Sequence, residues 1–201
     1  MDKSLISIVL ALLGLAAFFY WLETNKFSVK EISIIAVLAA IAASARLPFA
    51  FIPNVQPTTF LIIISGFVFG CGAGFLVGAI SALISNFFLG QGPWTIWQML
   101  AWGFCGATAG ILGKFNLKFP KLPLIIFGLL WGYLFGWIMN FWYWYSFTYP
   151  LTLKSWILVN ASSFWLDTLH SAGNCFFIWL FGEKLIKILR HFKKKLIISY
   201  N

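Results

Sequence analysis

Residues 57–90, "PTTFLIIISGFVFGCGAGFLVGAISALISNFFLG", decide the fold class, because they form a run of 34 residues without a single charge. As one α-helix this run would be about 51 Å long, whereas the hydrocarbon core of a bilayer is about 30 Å thick. The run therefore predicts two membrane spans. We expect the break between them at "GCGAG", residues 70–74, since glycine weakens a helix and suits a tight turn.

The rest of the chain has the same apolar character. It has 201 residues, of which 61% are hydrophobic and 9% are charged, with a mean hydropathy of +0.91. An ordinary soluble domain has about 25% charged residues. Further spans are predicted over residues 4–22, 32–45, 98–113, 122–146 and from 164 towards 182.

The sequence thus predicts an all-α membrane protein that forms a single transmembrane domain, residues 1–201. It consists of an extra N-terminal span at 4–22, a six-span core at 30–190 and a basic tail at 183–201. The N-terminal run could also be a signal peptide. No small-residue cleavage site follows it, so we interpret it as a retained span.

Lysine and arginine predict the orientation in a multi-pass cell membrane, because they concentrate in cytoplasmic loops. With a cytoplasmic C-terminus, three basic residues lie outside: Lys3, Arg46 and Lys154. The inner side then holds eleven: Lys26, Lys30, Lys114, Lys118, Lys121, Lys184, Lys187, Arg190, Lys193, Lys194 and Lys195. An odd number of spans places the N-terminus outside.

Three segments fall on the predicted outer side, 46–57, 89–98 and 146–163, and they contain most of the polar residues other than lysine. The stretch "ARLPFAFIPNVQPTTF", residues 45–60, carries Arg46, Asn54 and Gln56 among three prolines. Proline stiffens a loop, so the loop loses little entropy when it binds a ligand. Arg46 either extends to the headgroups or contacts a polar or anionic ligand.

The stretch "SNFFLGQGPWTIWQMLAWG", residues 85–103, combines amides with tryptophans. A tryptophan belt at the membrane interface is the common explanation of such residues. Apolar walls with a few polar groups are also typical of a small-molecule pocket. The candidate ligand-binding residues here are Asn86, Gln91, Trp94, Trp97, Gln98 and Trp102.

The last span contains "FWLDTLHSAGNCFF", residues 164–177, in which Asp167, His170 and Asn174 share one helical face. Ionisable residues inside a span are costly and usually functional, although a hydrogen bond between helices also explains them. His170 is in addition a candidate ligand for the cobalt of a corrinoid, because neutral imidazole commonly binds metals.

The second span carries small residues, Ala36, Ala39, Ala40 and Ala43, which let another helix approach closely. The other helix belongs either to a partner protein or to this chain. Two glycine ladders are assigned to packing within the chain: Gly66, Gly70, Gly74 and Gly78, and Gly128, Gly132 and Gly136.

Several function classes find no support in the sequence. It has no phosphate-binding glycine loop and no HExxH motif, and its cysteines, Cys71, Cys105 and Cys175, have no disulfide or metal-ligand spacing. We therefore expect no enzyme, no intrinsic cofactor and no metal site. The basic residues lie at helix ends, so nucleic acid is not an expected partner.

The chain resembles the substrate-binding S components of energy-coupling factor (ECF) vitamin transporters over roughly residues 30–190. The resemblance rests on the six-span core, on the alanine-rich span and on the stretches "ARLPFAFIPNVQPTTFLIIISGFVFG" and "SNFFLGQGPWTIWQMLAWG". These stretches are similar to one branch of the family, which is linked to cobalamin-type substrates. The extra N-terminal span departs from the family pattern.

The resemblance implies a function and partners. An S component binds a vitamin at the outer face, under the loops that correspond to 46–57, 89–98 and 146–163. Its alanine face docks on a transmembrane coupling subunit, and two cytoplasmic ATPases use the ATP. Cobalamin or a cobalamin precursor is the expected substrate, with a flavin or another heterocycle as further possibilities.

Two other functions stay open at this point. A stand-alone proton-coupled carrier for a small heterocyclic solute would use Asp167 and His170. An integral-membrane enzyme acting on lipids or prenyl groups usually needs clustered acids or histidines at the cytoplasmic face, and here that face is basic.

Overall fold

The computed structural model describes residues 3–23, 27–115 and 117–198, which form seven α-helices and no strand. The helices are α1 (Lys3–Glu23), α2 (Val29–Arg46), α3 (Thr58–Phe69), α4 (Cys71–Leu89), α5 (Trp94–Gly113), α6 (Lys121–Phe147) and α7 (Leu153–Ile198), with a 3₁₀ turn at Leu47–Phe49. The predicted all-α fold is confirmed.

Five of the described helices, α1, α2, α4, α5 and α6, are long and apolar enough to cross a bilayer. Helix α3 is apolar but has only 12 residues. Helix α7 has 46 residues, and its polar side chains lower its hydropathy. The seven predicted spans correspond to these seven helices, although α3 is shorter than a full span.

Successive helices alternate in direction, so the bundle has two distinct ends. The Arg46 end holds the end of α2, the start of α3 and the start of α7; it also holds the start of α1, because the hydroxyls of Ser7 and Ser146 lie 3.2 Å apart. The opposite end, here called the basic end, holds the last turns of α3, α5 and α7. There Lys193 donates a hydrogen bond to the Val68 carbonyl at 2.7 Å.

The predicted break in the long uncharged run lies at Gly70. This residue has φ +98°, a left-handed conformation that favours glycine, and it ends α3 immediately before α4 begins at Cys71. The uncharged run therefore forms two helices, as the sequence predicts.

The glycine ladders let backbones touch. A Cβ atom at Gly74 would lie 2.2 Å from the Gly106 carbonyl oxygen, and one at Gly66 would lie 2.0 Å from the same atom. Helices α3, α4 and α5 thus pack around backbone contacts that any side chain would block. Between α6 and α7, a Cβ atom at Gly132 would likewise clash with Ser171. The assignment of the ladders to packing within the chain is confirmed for all their glycines except Gly70, which forms the turn.

Helix α7 starts earlier than the predicted span at 164, because residues 153–163 of the predicted outer segment are already helical. Thr152 and Ser155 form a reciprocal cap: each backbone N–H donates to the hydroxyl of the other residue at 3.1 Å. Such a cap satisfies helix N–H groups that would otherwise lack a partner, and it starts the helix at Leu153.

The alanine face of α2 divides between two environments. Ala39 and Ala43 are buried, and Ser81 of α4 donates a hydrogen bond to the Ala39 carbonyl at 3.3 Å. Ala36 and Ala40 lie on the adjoining part of the same helical face and are exposed. The prediction that all four alanines face a partner is therefore wrong for Ala39 and Ala43, which pack inside the chain.

Helix α1 packs on the outside of the bundle against α5 and α6. Its buried residues, Ala11 and Leu15, join a small apolar cluster with Phe75, Ala79 and Leu100, separate from the main core. The main core lies among α2, α3, α4, α5, α6 and α7.

Candidate functional site

A small polar cavity lies at the Arg46 end, where six parts of the chain converge. The segment 47–57 covers it, and side chains from the end of α2 and from α3, α5, α6 and α7 surround it. Its volume is about 60 Å³. The lining residues are Arg46, Asn54, Gln56, Thr59, Gln98, Trp102, Phe135 and His170.

Arg46 is the organising side chain of this cavity. Its Nε donates to Gln56 Oε1 at 2.9 Å, and its Nη1 donates to Ser85 Oγ at 2.8 Å and to Asn86 Oδ1 at 2.7 Å. The guanidinium carbon also lies 5.0 Å from the centre of the Trp102 ring. None of the described acids forms an ion pair with Arg46, so its positive charge is not balanced within this part of the chain.

The hydrogen bonds continue from Arg46 into α5. Asn86 is almost fully buried, and its Nδ2 donates to Thr95 Oγ1 at 2.9 Å and to Gln98 Oε1 at 2.7 Å. Thr95 in turn donates to Gln91 Oε1 at 2.8 Å. Asn86 and Gln91 therefore lie behind the cavity, where they fix the orientation of Arg46 and Gln98.

The far wall of the cavity is built around Thr59. Its Oγ1 accepts a hydrogen bond from Trp102 Nε1 at 2.9 Å and lies 2.8 Å from His170 Nε2. The ring of Phe135 packs edge-on against His170 at 5.1 Å and lies 4.9 Å from the Trp102 ring. This wall presents flat aromatic surface beside polar groups that are already paired.

Two side-chain hydrogen bonds hold the covering segment 47–57. Asn54, whose φ is +57°, donates from Nδ2 to the Leu166 carbonyl of α7 at 3.2 Å, and Gln56 accepts from Arg46. Phe49 also packs edge-on against Phe177 with ring centres 5.6 Å apart. Phe49 and Val55 also pack against the main core, so hydrogen bonds and apolar contacts together hold the segment over the cavity.

Six of the predicted ligand-binding residues thus surround one cavity: Arg46, Asn54, Gln56, Gln98, Trp102 and His170. Sequence reasoning missed Thr59, Ser85, Thr95 and Phe135. The polar Thr59 at the start of an apolar helix was a usable signal, whereas Phe135 is one of 23 phenylalanines and had none.

The other predicted residues lie away from the cavity lining. Trp94 is partly exposed and packs near Trp142, and Trp97 packs on Phe141 with ring centres 6.1 Å apart. Asn174 is fully buried and donates to the Gly128 carbonyl at 3.1 Å, which is a contact between helices.

Asp167 lines a second, larger groove between α6 and α7. This groove has a volume of about 580 Å³ and is open to the side of the bundle, where Trp137, Ile157 and Phe164 are more than half exposed. Asp167 accepts a hydrogen bond from Ser163 at 2.9 Å, and no hydrogen bond joins it to His170. Asp167 and His170 therefore line different cavities and are not joined by a direct hydrogen bond.

The third predicted loop, 146–163, contributes no residue to the lining of the small cavity. Its helical part borders the open groove instead, through Trp156, Ile157, Asn160 and Ala161. No group of three or more His, Cys, Asp or Glu side chains capable of holding a metal ion occurs among the described residues.

The fold and the cavity define a multi-pass membrane protein with a polar, aromatic-walled cavity at one end of its bundle. The family model of the ECF transporter, substrate-specific component, matches residues 30–192, and the chain belongs to this family. It is a family of substrate-binding transporter subunits and not a class of enzymes. The match leaves out α1, the predicted extra helix.

The chain is similar to UPF0397 protein VS_II0189 of Vibrio atlanticus (strain LGP32), with 31% identity over 112 residues. The aligned stretch covers 52% of this chain and 61% of the relative, so the chain spans less than two thirds of that protein's length. No solved structure matches the chain.

Proposed function

We propose that this chain is the substrate-capture subunit of an ECF importer and that it binds a small heterocyclic micronutrient in the cavity beside Arg46. A transmembrane coupling subunit and two ATPases would supply the energy. The family supports the role in transport, and the geometry around Arg46 supports the place of binding. The observation that carries the proposal is the unbalanced charge of Arg46 in the cavity wall.

Arg46 favours a substrate with an anionic or strongly electron-rich group. A guanidinium has five N–H donors, and the hydrogen bonds of Arg46 involve only Nε and Nη1. None of the described residues accepts a hydrogen bond from Nη2. A carboxylate, phosphate or ring carbonyl of the substrate would satisfy these donors and balance part of the charge.

The remaining lining favours a flat ring with polar edges. Trp102 and Phe135 provide aromatic surface, and the amides of Asn54, Gln56 and Gln98 offer both donors and acceptors. Apolar walls with a few aimed polar groups are the usual composition of a small-molecule site. A heterocycle with ring nitrogens or carbonyl groups has the matching chemistry.

The volume of the cavity limits the size of the substrate and requires segment 47–57 to move. Pockets for drug-sized ligands are roughly 300–1,000 Å³, and the cavity has about 60 Å³. Substrate entry would therefore break the bonds that Asn54 and Gln56 make and displace segment 47–57. A whole cobalamin needs a much larger opening than a cobalamin precursor such as a benzimidazole riboside, so the precursor is the better proposal within the cobalamin branch.

His170 does not present its Nε2 to a cobalt ion in this geometry, because Thr59 already forms a hydrogen bond with that nitrogen. We propose instead that His170 and Thr59 hold the Trp102 ring in place as part of the cavity wall. The exposed alanines of α2, Ala36 and Ala40, would contact the coupling subunit.

The substrate can be identified by mass spectrometry of the molecule that purifies with the protein, followed by titration with cobalamin, a benzimidazole riboside and a flavin. We expect a small heterocycle with an acceptor group to bind. Two matched variants then locate it. Gln98→Leu, in the cavity, should weaken binding at least tenfold, and Asn160→Leu, in the open groove, should leave the affinity nearly unchanged.

The opposite result, binding lost in Asn160→Leu and kept in Gln98→Leu, would move the site to the groove. Purified protein that binds no heterocycle of any size under these conditions would contradict the proposed substrate class.

A further inference from the structure

A second cavity lies at the basic end, on the opposite side of the bundle from Arg46. It has a volume of about 300 Å³ and lies between the last turns of α3, the end of α5 with the loop that follows, and α7. Its polar lining comes from three cations of α7: Arg190, Lys193 and Lys194. Phe67, Val68, Gly113 and Leu117 complete it.

The charges of this cavity are not balanced by the chain. None of the described acids lines it or forms an ion pair with its three cations. Lys193 donates one hydrogen bond to the Val68 carbonyl, which offsets the negative end of the α3 dipole. An ammonium has three donors, so this contact leaves Lys193 with unused donors.

Arg190 is held in place without using its hydrogen-bond donors. Its guanidinium carbon lies 5.6 Å from the centre of the Phe67 ring, which is cation–π geometry. No described residue accepts a hydrogen bond from Arg190 or from Lys194. The cavity thus offers a positioned guanidinium and two ammonium groups beside an apolar wall of Phe67 and Leu117.

This combination matches the headgroup region of an anionic phospholipid. A phosphodiester would receive hydrogen bonds from Arg190 and the lysines, while the glycerol and the first acyl carbons would lie against the apolar wall. Basic pockets between transmembrane helices at a membrane surface bind anionic headgroups for this reason. A soluble anion would use the charges but not the apolar wall.

We infer that the cavity at the basic end, lined by Arg190, Lys193 and Lys194, is a binding site for the phosphate group of an anionic membrane phospholipid. The site is separate from the substrate cavity and does not depend on which micronutrient the protein carries.

The test uses the full chain reconstituted from a mixture of phosphatidylcholine and phosphatidylglycerol, with the retained lipid measured by native mass spectrometry. We expect selective retention of phosphatidylglycerol by the wild type. The double variant Arg190→Gln with Lys194→Gln should retain less by on the order of tenfold or more, because each basic residue near an anionic surface changes the affinity about fivefold.

The matched control is Lys184→Gln with Lys187→Gln, which removes the same charge from the same helix outside the cavity lining. It should retain nearly as much phosphatidylglycerol as the wild type. An equal loss in both double variants would show a diffuse surface attraction and would overturn the site.

Two further measurements address folding and the source of the phosphate. Arg190→Lys with Lys194→Arg keeps both charges and should keep most of the lipid, which separates loss of charge from loss of fold. Glycerol phosphate, added in excess, should not displace the lipid from the wild type. Displacement of the lipid by glycerol phosphate would assign the site to soluble phosphate and overturn the lipid assignment.

Discussion

At the scale of single residues, substitution of Arg46 should have a large effect on substrate affinity. Arg46→Gln removes the charge and leaves Ser85, Asn86 and Gln56 without their shared donor. Hydrogen bonds to charged groups contribute about 1.5–3 kcal/mol each, so we expect substrate affinity to fall by on the order of 100-fold or more. The measurement is the dissociation constant of the substrate that purifies with the protein.

Two controls separate the effect of the Arg46 hydrogen bonds from the effect of removing a positive charge at this end of the bundle. Arg46→Lys keeps the charge but not the planar set of donors, so it should recover only part of the affinity. Lys154→Gln, at an exposed position of the same end, removes the same charge and should leave the affinity unchanged. Equal affinity of Arg46→Gln and wild type would remove Arg46 from the site.

Thr59 is a second residue for which the structure predicts a definite effect, this time on stability. Thr59→Val keeps the shape but leaves Trp102 Nε1 and His170 Nε2 buried without their partner. Each unsatisfied buried group costs about 1–3 kcal/mol, so we expect a clear loss of thermal stability in detergent.

Thr59→Ser is the matched control, because it retains the hydroxyl that both partners use. It should unfold close to the wild-type temperature. Similar melting temperatures of Thr59→Val and wild type would mean that the Trp102–Thr59–His170 contacts contribute little.

The sequence located the polar residues of the site but not their partners. Alternation of helix direction brings Arg46, Asn86 and Gln98 to one end, which follows from the spans alone. Their pairing depends on how each helix is rotated about its axis. Gln98 and Trp102 are four residues apart and share a face, whereas Trp97 is turned away from Gln98 by about 100° and packs elsewhere.

At the scale of elements, the contact between α4 and α5 depends on glycine. A Cβ atom at Gly106 would lie 2.0 Å from the Gly74 carbonyl oxygen, and a backbone atom cannot rotate away as a side chain can. We expect Gly106→Ala to destabilise the protein by about 3 kcal/mol, measured as a lower midpoint of unfolding in detergent.

Gly14→Ala provides the comparison, because the nearest atom to its added Cβ is a Leu100 methyl carbon at 3.7 Å. Alanine favours a helix over glycine, so this variant should be as stable as the wild type or slightly more so. A stable Gly106→Ala protein would contradict the close backbone approach.

Tryptophan in place of an exposed alanine of α2 should have a different effect from tryptophan in place of a buried one. Ala40→Trp places a large side chain on the exposed face, so we expect normal substrate binding but failure to purify with the coupling subunit. Ala39→Trp places it against α4, where Ala39 is fully buried, and should prevent folding. Leu130→Trp on the exposed face of α6 is the control and should affect neither property.

Transport and co-purification that survive in Ala40→Trp would contradict docking through this face. The sequence could not separate Ala39 from Ala40, because the small residues of α2 form one continuous face that is partly buried and partly exposed, and the hydrophobic pattern of a lipid-facing helix does not mark its inner edge.

At the scale of the whole molecule, the distribution of charge predicts the orientation. The basic end holds most of the lysines and arginines, so it should lie in the cytoplasm and the Arg46 end outside. With the three native cysteines replaced, a membrane-impermeant thiol reagent should label Lys154→Cys in intact cells and Lys187→Cys only after permeabilisation. The reverse labelling pattern would invert the proposed topology.

The number of helices and their order could be predicted from hydropathy, and the turn at Gly70 from its glycines. The start of α7 could not, because serine, threonine and asparagine at residues 152–163 are typical of loops yet here cap and continue a helix. The cavity at the basic end was also beyond prediction, since it needs side chains from α3, α5 and α7, which are far apart in the chain.

The unbroken length of α7 has a mechanical consequence. Its 46 residues make a rod of about 69 Å, more than twice the thickness of the hydrocarbon core. Near one end, the Leu166 carbonyl of the rod accepts a hydrogen bond from Asn54 of segment 47–57, and near the other end Lys193 donates to the Val68 carbonyl of α3. Tilting such a rod about its middle moves its two tips in opposite directions. Displacement of segment 47–57 at one end and loosening of the Lys193–Val68 hydrogen bond at the other would then be a single motion.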